Sequence, residues 1–341
     1  MKVLSFIIPS YNSAHFLDKC IPSMLVPQLL SKIEIIVVND GSTDATAEAA
    51  SRYCKQYPDT VRLISQENKG HGGALNTGCA AAQGKYLKII DADDWVVTEN
   101  LPRLIGLLEN CESDVVLTHH HTIDISTGEI KHWRSYPPEF GKAYGFSEIM
   151  SDWRSFDRSL TFHGITYRTA FYHKYGHQLL EHVFYEDHEY ATYPCSYAKS
   201  ITPFDLFLYE YRIGDVNQSV SNANQLKRLS HTEAVLQRMM ELYRTLPETA
   251  GREYAAMKIQ GLLLSYLTTA LLVEPNRKAG RKLAEKQMTL CRENAPKSWE
   301  LAQNKYRVFC LLNRFHVTKK TWDALLGSRL YNRVRKNHSF D

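Results

Sequence analysis

The chain has 341 residues, 44% hydrophobic and 23% charged, which is the balance of an ordinary globular protein with room for two domains. Its formal net charge of +4 is uneven: residues 225–341 carry 22 Lys+Arg against 10 Asp+Glu, and residues 1–224 carry 19 against 27, so two regions with different partners are expected. No run of about 18 apolar residues is present, so no transmembrane helix is expected, and seven scattered cysteines with no Cys-x-x-Cys argue against a disulfide framework or a zinc site.

Val3–Pro9 is apolar and is broken by Ser10-Tyr11-Asn12-Ser13, which predicts a first strand and not a signal peptide. A helix pattern follows from Ala14 to Leu25, then a β-branched strand at 33–38. The polar turn Asn39–Asp44 starts a helix that runs to Tyr57. Val61–Ser65 is a third strand, followed by a Gly-rich loop at 70–73, a helix from Ala74 to Ala82, and a fourth strand at 85–90. Strands alternating with helices of this length predict βαβ crossovers and a parallel sheet. In such sheets ligands sit at the carboxyl ends of the strands. Pro9–Asn12, Asn39–Asp44, Glu67–Gly73 and Asp91–Asp94 therefore meet at one edge.

Asp91-Ala92-Asp93-Asp94 puts three carboxylates within four residues at the end of a buried strand. Like charges this close raise each other's pKa unless a cation neutralises them, and carboxylate oxygens suit Mg²⁺ or Mn²⁺. The alternative is an acidic turn in which Asp94 caps a helix starting near Thr98.

Four pieces in order resemble the nucleotide-sugar-binding half of family-2 glycosyltransferases with the GT-A fold. They are Ile7-Ile8-Pro9-Ser10-Tyr11-Asn12, Val37-Val38-Asn39-Asp40-Gly41-Ser42-Thr43-Asp44, Asn68-Lys69-Gly70 with Ala74-Leu75-Asn76-Thr77-Gly78, and Ala82-Gln83-Gly84-Lys85-Tyr86 leading into Asp91-Ala92-Asp93-Asp94. The resemblance continues more loosely to about residue 220. It implies that Asp40 accepts a hydrogen bond from uracil, where the plain alternative is a helix cap. Pro9 and Tyr11 would form the wall and stacking face of the base pocket, where the alternative for Tyr11 is a core or turn aromatic, and Asn12 would also meet the nucleotide sugar. It also implies that Asp91 and Asp93 are the ends of an Asp-x-Asp motif, with Asp93 and Asp94 facing Mn²⁺ or Mg²⁺. Many members carry a basic residue just before the position of Asn76. Here it is Leu75, so Lys69 or His71 would meet the diphosphate, or the donor would sit differently.

Val115–Thr118 reads as a further strand, followed by His119-His120-His121. Neighbours on an extended chain point to alternate faces, so three in a row do not make a metal site. Leu160–Arg168 resembles a family segment in which His163 either touches the acceptor or is packed. In Phe184-Tyr185-Glu186-Asp187-His188-Glu189-Tyr190 the resemblance makes Asp187 the general base. The alternative is an acidic helix N-terminus. Tyr209–Ser219 resembles the strand and loop that close over the donor, with Arg212 or Gln218 near the diphosphate, or Arg212 paired with a carboxylate.

Beyond Asn224 the pattern is helical, at 226–246, 252–273, 277–294 and 299–312. Ile259–Val273 is read as a buried helix. The basic tail from Lys305 suits an anionic membrane surface, a homo-oligomer or another partner, and no nucleic-acid motif accompanies it. The expectation is an α/β GT-A domain at 1–224, with a nucleotide-sugar half at 1–118 and an acceptor half at 119–224, followed by a helical basic domain at 225–341. Its activity would be inverting, metal-dependent transfer from a nucleotide sugar, a UDP-sugar above all, to a glycan or lipid-linked acceptor. Its place would be cytoplasmic, peripheral at the inner membrane face. The alternatives are a catalytically silent glycan- or partner-binding member and a nucleotidyltransferase. The latter needs a phosphate loop that Ser10-Tyr11-Asn12-Ser13 does not provide.

Overall fold

Each of the first four apolar runs ends in a polar turn and folds as a strand leading into a helix. Leu4–Ser10 (β1) leads to Ala14–Met24 (α1), and Ile33–Asp40 (β2) to Thr46–Gln56 (α2). Val61–Gln66 (β3) leads to Gly70–Ala81 (α3), and Tyr86–Ile89 (β4) to the short Trp95–Val96 (β5) and Leu101–Asn110 (α4). Then come Val115–Asp124 (β6), Ile130–Trp133 (β7), Phe146–Ser151 (α5), Ile165–Arg168 (β8), Thr169–Tyr175 (α6), Asp187–Thr192 (α7) and Ile201–Ile213 (β9). The computed structural model describes residues 2–214 and 222–326. The chain divides into two units, residues 1–218 with 246–255, and residues 219–245 with 256–341.

In the first unit, and among the described residues, nine strands form one sheet in the order β3-β2-β1-β4-β8-β6-β9-β5, with β7 added on β6. The four leading strands are parallel, β8 runs antiparallel to β4 and β6, and β9 is parallel to β6. Strand side chains alternate between faces, and both faces are buried. Leu4, Phe6 and Ile8 join Ile35 and Val37 in a cluster with Leu17 and Ile21 of α1 and Leu104 and Leu108 of α4. Ile7, Ile36 and Val38 turn the other way, into a cluster with Ala74, Leu75 and Cys79 of α3.

Two local expectations are corrected. Helix α3 starts at Gly70, not Ala74, so the glycines form its first turn. Gly70 is left-handed (φ +76°), and a Cβ on Gly72 would strike the Leu180 carbonyl and lie 3.0 Å from Glu186 Cγ. The glycines are there to let the 180–186 segment approach. Strand β6 continues through His119–His121 to Asp124, because β9 pairs with it there, His120 opposite Tyr209 and His121 opposite Glu210. At the start of α2 it is Asp44 that accepts the Thr46 N–H, at 2.9 Å, so the alternative of Asp40 as a helix cap is not needed there.

The second unit is helical: Asn222–Lys227 (α8), Leu229–Thr245 (α9), the later part of Ala250–Thr268 (α10), Arg277–Asn294 (α11), Pro296–Arg314 (α12) and Lys319–Leu326 (α13). Helix α10 runs on as a π-helical turn, Thr269–Val273. There the Leu271 carbonyl accepts from Arg277 and from the fully buried Asn313. Ala250–Val273, at 24 residues and hydropathy 1.4, is long and apolar enough to cross a membrane, and 56% of its apolar window is buried, as in a core helix. The expected closing loop after Gly214, with Gln218, and the basic tail beyond Leu326 lie outside the described residues.

Candidate active site

The parallel register sets the carboxyl ends of β1 to β4 side by side, Ser10 opposite Asn39 and Asp40 opposite Gln66. At β2, Asp40 is almost fully buried. Its Oδ1 accepts from Gln66 Nε2 at 2.7 Å and from the Lys69 N–H at 2.9 Å. Its other oxygen, Oδ2, is buried without a hydrogen-bond partner among the described residues. A buried carboxylate oxygen with no donor is costly unless a ligand supplies one. Tyr11 stands just past β1, 52% exposed, whereas Pro9 is buried in the strand. Asn12, left-handed at φ +50°, stitches two loops together, its Oδ1 accepting the Thr43 N–H at 2.8 Å.

At the end of β4 the three aspartates divide their work. Asp94 is 1% exposed. Its Oδ2 accepts from the Tyr209 hydroxyl at 2.5 Å and its Oδ1 from the Arg212 N–H at 2.7 Å. It therefore does not cap the helix after Thr98. Burial, then the charges of Asp91 and Asp93, push its pKa well above the carboxylate range. Asp91 and Asp93 are more open, with side chains 28% and 36% exposed. The pKa of Asp93 is raised by burial and by Asp91. Arg212, on β9, reaches Asp93 with Nη1 3.7 Å from Oδ2 and lies 5.0 Å over the Phe16 ring.

His71 lies in the first turn of α3 with both ring nitrogens engaged, Nε2 2.9 Å from Asp91 Oδ1 and Nδ1 2.5 Å from Glu186 Oε1. Burial alone would lower its pKa, but the charges and hydrogen bonds of the two carboxylates carry it well above the ordinary value. Lys69 is half-exposed, with Nζ 4.0 Å from Glu181. Glu186 is the buried member of the acidic pair, its pKa raised chiefly by that burial. Half-buried Asp187 opens α7. Asp187 is brought into the same charge cluster as the aspartates: Tyr211 has its hydroxyl pKa raised by burial and then by Asp94, Asp91, Asp187 and Asp93.

The histidines of β6 take alternate faces. His119 and His121 lie against Phe207 and pair with Asp205 at 3.3 Å and Glu210 at 2.9 Å. His120 turns the other way and packs by His163, ring centroids 5.1 Å apart. His163, half-buried, stacks on Tyr211 at 4.3 Å, so it sits beside the carboxylate cluster and not out in solvent.

Two contributors escape a reading of the sequence. Tyr209 holds Asp94 and also accepts the Asp91 N–H at 3.1 Å, and nothing local in Leu208-Tyr209-Glu210 announces that reach. Lys88 is a charge inside the apolar run 86–90, which is a visible signal. It is wholly buried and donates to the carbonyls of His163 and Ile165.

The family model described as glycosyl transferase family 2 matches residues 5–184, more than half of the chain. The chain belongs to glycosyltransferase family 2. An uncharacterised family glycosyltransferase of Nostoc sp. is 41% identical over 128 residues, 38% of this chain and 38% of the relative. The chain thus spans well under two thirds of the curated relatives it matches first. Among solved structures, S. aureus TarS superposes with TM-score 0.65 at 16% identity, over 92% of this chain and 54% of TarS. TarS 1–349 in complex with UDP-GlcNAc gives 0.55 at 18% identity, over 93% of each chain. At such identities the likeness is one of fold. This family-2 chain has the GT-A fold, a mostly parallel sheet flanked by helices, followed by a helical region.

Proposed function

We propose that the chain transfers a sugar from a nucleotide sugar, a UDP-sugar in particular, to a hydroxyl of a glycan or lipid-linked acceptor, with inversion. One observation carries this reading: Glu186, next to Asp187, is joined through His71 to Asp91 at the end of β4, which suits a base and a donor-side carboxylate cluster in one site. TarS, of the same fold, is known in complex with UDP-GlcNAc. The orphaned Asp40 Oδ2 suits the ring N–H of uracil, and Tyr11 offers an exposed face on which a base can stack.

The donor set also fits a hard divalent cation. Among the described residues no three His, Cys, Asp or Glu side chains form a cage. Mg²⁺ and Mn²⁺ bound with a diphosphate need only one or two carboxylates besides phosphate oxygens and water. Asp93 and Asp94 are the expected pair, and the partly exposed Asp91 suits the role as well; the two oxygens of Asp94 also accept from the Tyr209 hydroxyl and the Arg212 N–H, which holds the β4 end against β9. Such a cation, when bound, supplies charge stabilisation to the leaving diphosphate. Asp187 removes the proton from the acceptor hydroxyl as that oxygen attacks the anomeric carbon. The bond to the diphosphate oxygen breaks, and its electron pair leaves with UDP. Lys69 is the more available cation for the diphosphate, since Arg212 lies on Asp93 and His71 on its two carboxylates.

The test is UDP release from each common UDP-sugar, with water or a glycan as acceptor. Asp187→Asn is expected to lower kcat by about 10²- to 10⁴-fold, the usual worth of a general base, while UDP affinity stays the same. Unchanged turnover in Asp187→Asn would remove Asp187 from the role.

A further inference from the structure

His71 stands between the two halves of this chemistry. The segment that carries the base is tied to α3 as well as to the sheet. Asn76 exchanges two hydrogen bonds with the Leu179 backbone, at 3.0 and 2.8 Å, and the His182 N–H donates to the Lys69 carbonyl at 2.9 Å. Gly72 lacks the side chain that would hold Leu180 and Glu186 away. From this stitched helix start, one imidazole reaches Glu186 with one nitrogen and Asp91 with the other. One rigid ring within hydrogen-bond distance of both carboxylates acts as a strut of fixed length between them.

We propose that His71 is a positioning residue that sets the base Asp187 against the donor-side carboxylate Asp91, by joining the residue before α7 to the end of β4. The reading rests on the function proposed above and adds a residue to it. Without the imidazole, buried Glu186 loses its hydrogen-bond partner, and α7 is no longer referred to Asp91. A shift of about 1 Å in such a constellation is enough to cost on the order of 10²-fold in rate.

The experiment compares wild type, His71→Ala, Glu186→Gln and the double variant in UDP release, UDP calorimetry without divalent ions, and thermal melting. His71→Ala is expected to lower kcat by about 10²-fold with donor KM within about threefold, because the change falls on the transition state and not on binding. The double variant is expected to be no slower and no less stable than His71→Ala alone, since the two side chains act as one unit. Additive losses would overturn the proposal. So would kcat within about twofold of wild type, or loss of UDP affinity in step with kcat, which would make His71 a donor contact. If wild type binds no UDP and releases none, the donor reading fails. The melting comparison needs no donor and still decides whether His71 and Glu186 are joined.

Discussion

Lys88 is the most unusual side chain of the first unit, an ammonium in β4 whose burial pushes its pKa down to about 7. Between that value and the unfolded value of about 10.4 the unfolded chain holds a proton that the folded chain has lost, so this group makes stability rise with pH across that window. Below about pH 7 both states are protonated, and the full cost of burying the charge is present. Urea denaturation from about pH 6 to pH 9 is therefore expected to show wild type gaining on Lys88→Met by at most ~1.4 kcal/mol per pH unit. Parallel pH profiles would contradict the assignment. His120 has the opposite working range. Burial, then Lys88 and the neighbouring histidines His121 and His119, lower it to about 3. Its contribution is complete above the unfolded value of about 6.5 and is lost as the pH falls towards 3, so His120→Phe is expected to flatten that part of the acid limb.

Helix α3 turns on glycines that would ordinarily argue against a helix. A methyl group at Gly72 collides with the Leu180 carbonyl, whereas at Gly106, in α4, nothing lies within 4 Å. Gly72→Ala is expected to cost about 1–3 kcal/mol by overpacking. Gly106→Ala is expected to stabilise by about 0.5–1 kcal/mol through helix propensity. Both are read from urea midpoints, and equal effects would show that the close approach of 180–186 does not constrain α3. The same pair marks what the sequence discloses. Strands β1 to β4 were legible because each is an apolar run closed by a polar turn, and Asp91–Asp94 because like charges there demand an explanation. The start of α3 was hidden, since its reason lies at Leu180 and Glu186, more than a hundred residues away. The extension of β6 through three histidines was hidden too, its partners Asp205 and Glu210 being far along the chain. The use of both Asp94 oxygens by β9 belongs to the same class of long-range facts.

Across the whole molecule, a sheet edge and its two flanking helix starts bring the residues of the proposed chemistry together within the first unit, between residues 9 and 212. The basic excess lies in residues 225–341, most of which belong to the helical unit. The edge built by Asp40, Asp91 and Asp93 is proposed to be a nucleotide-sugar site. Its most direct measurement is thermal stabilisation by UDP-glucose, UDP-galactose, their N-acetyl forms, UDP-glucuronate and GDP-mannose, each with Mn²⁺ or with chelator, in wild type and Asp93→Ala. One UDP-sugar is expected to raise the melting temperature in a metal-dependent way, and Asp93→Ala to abolish the rise. No stabilisation of wild type by any of these nucleotides would contradict it.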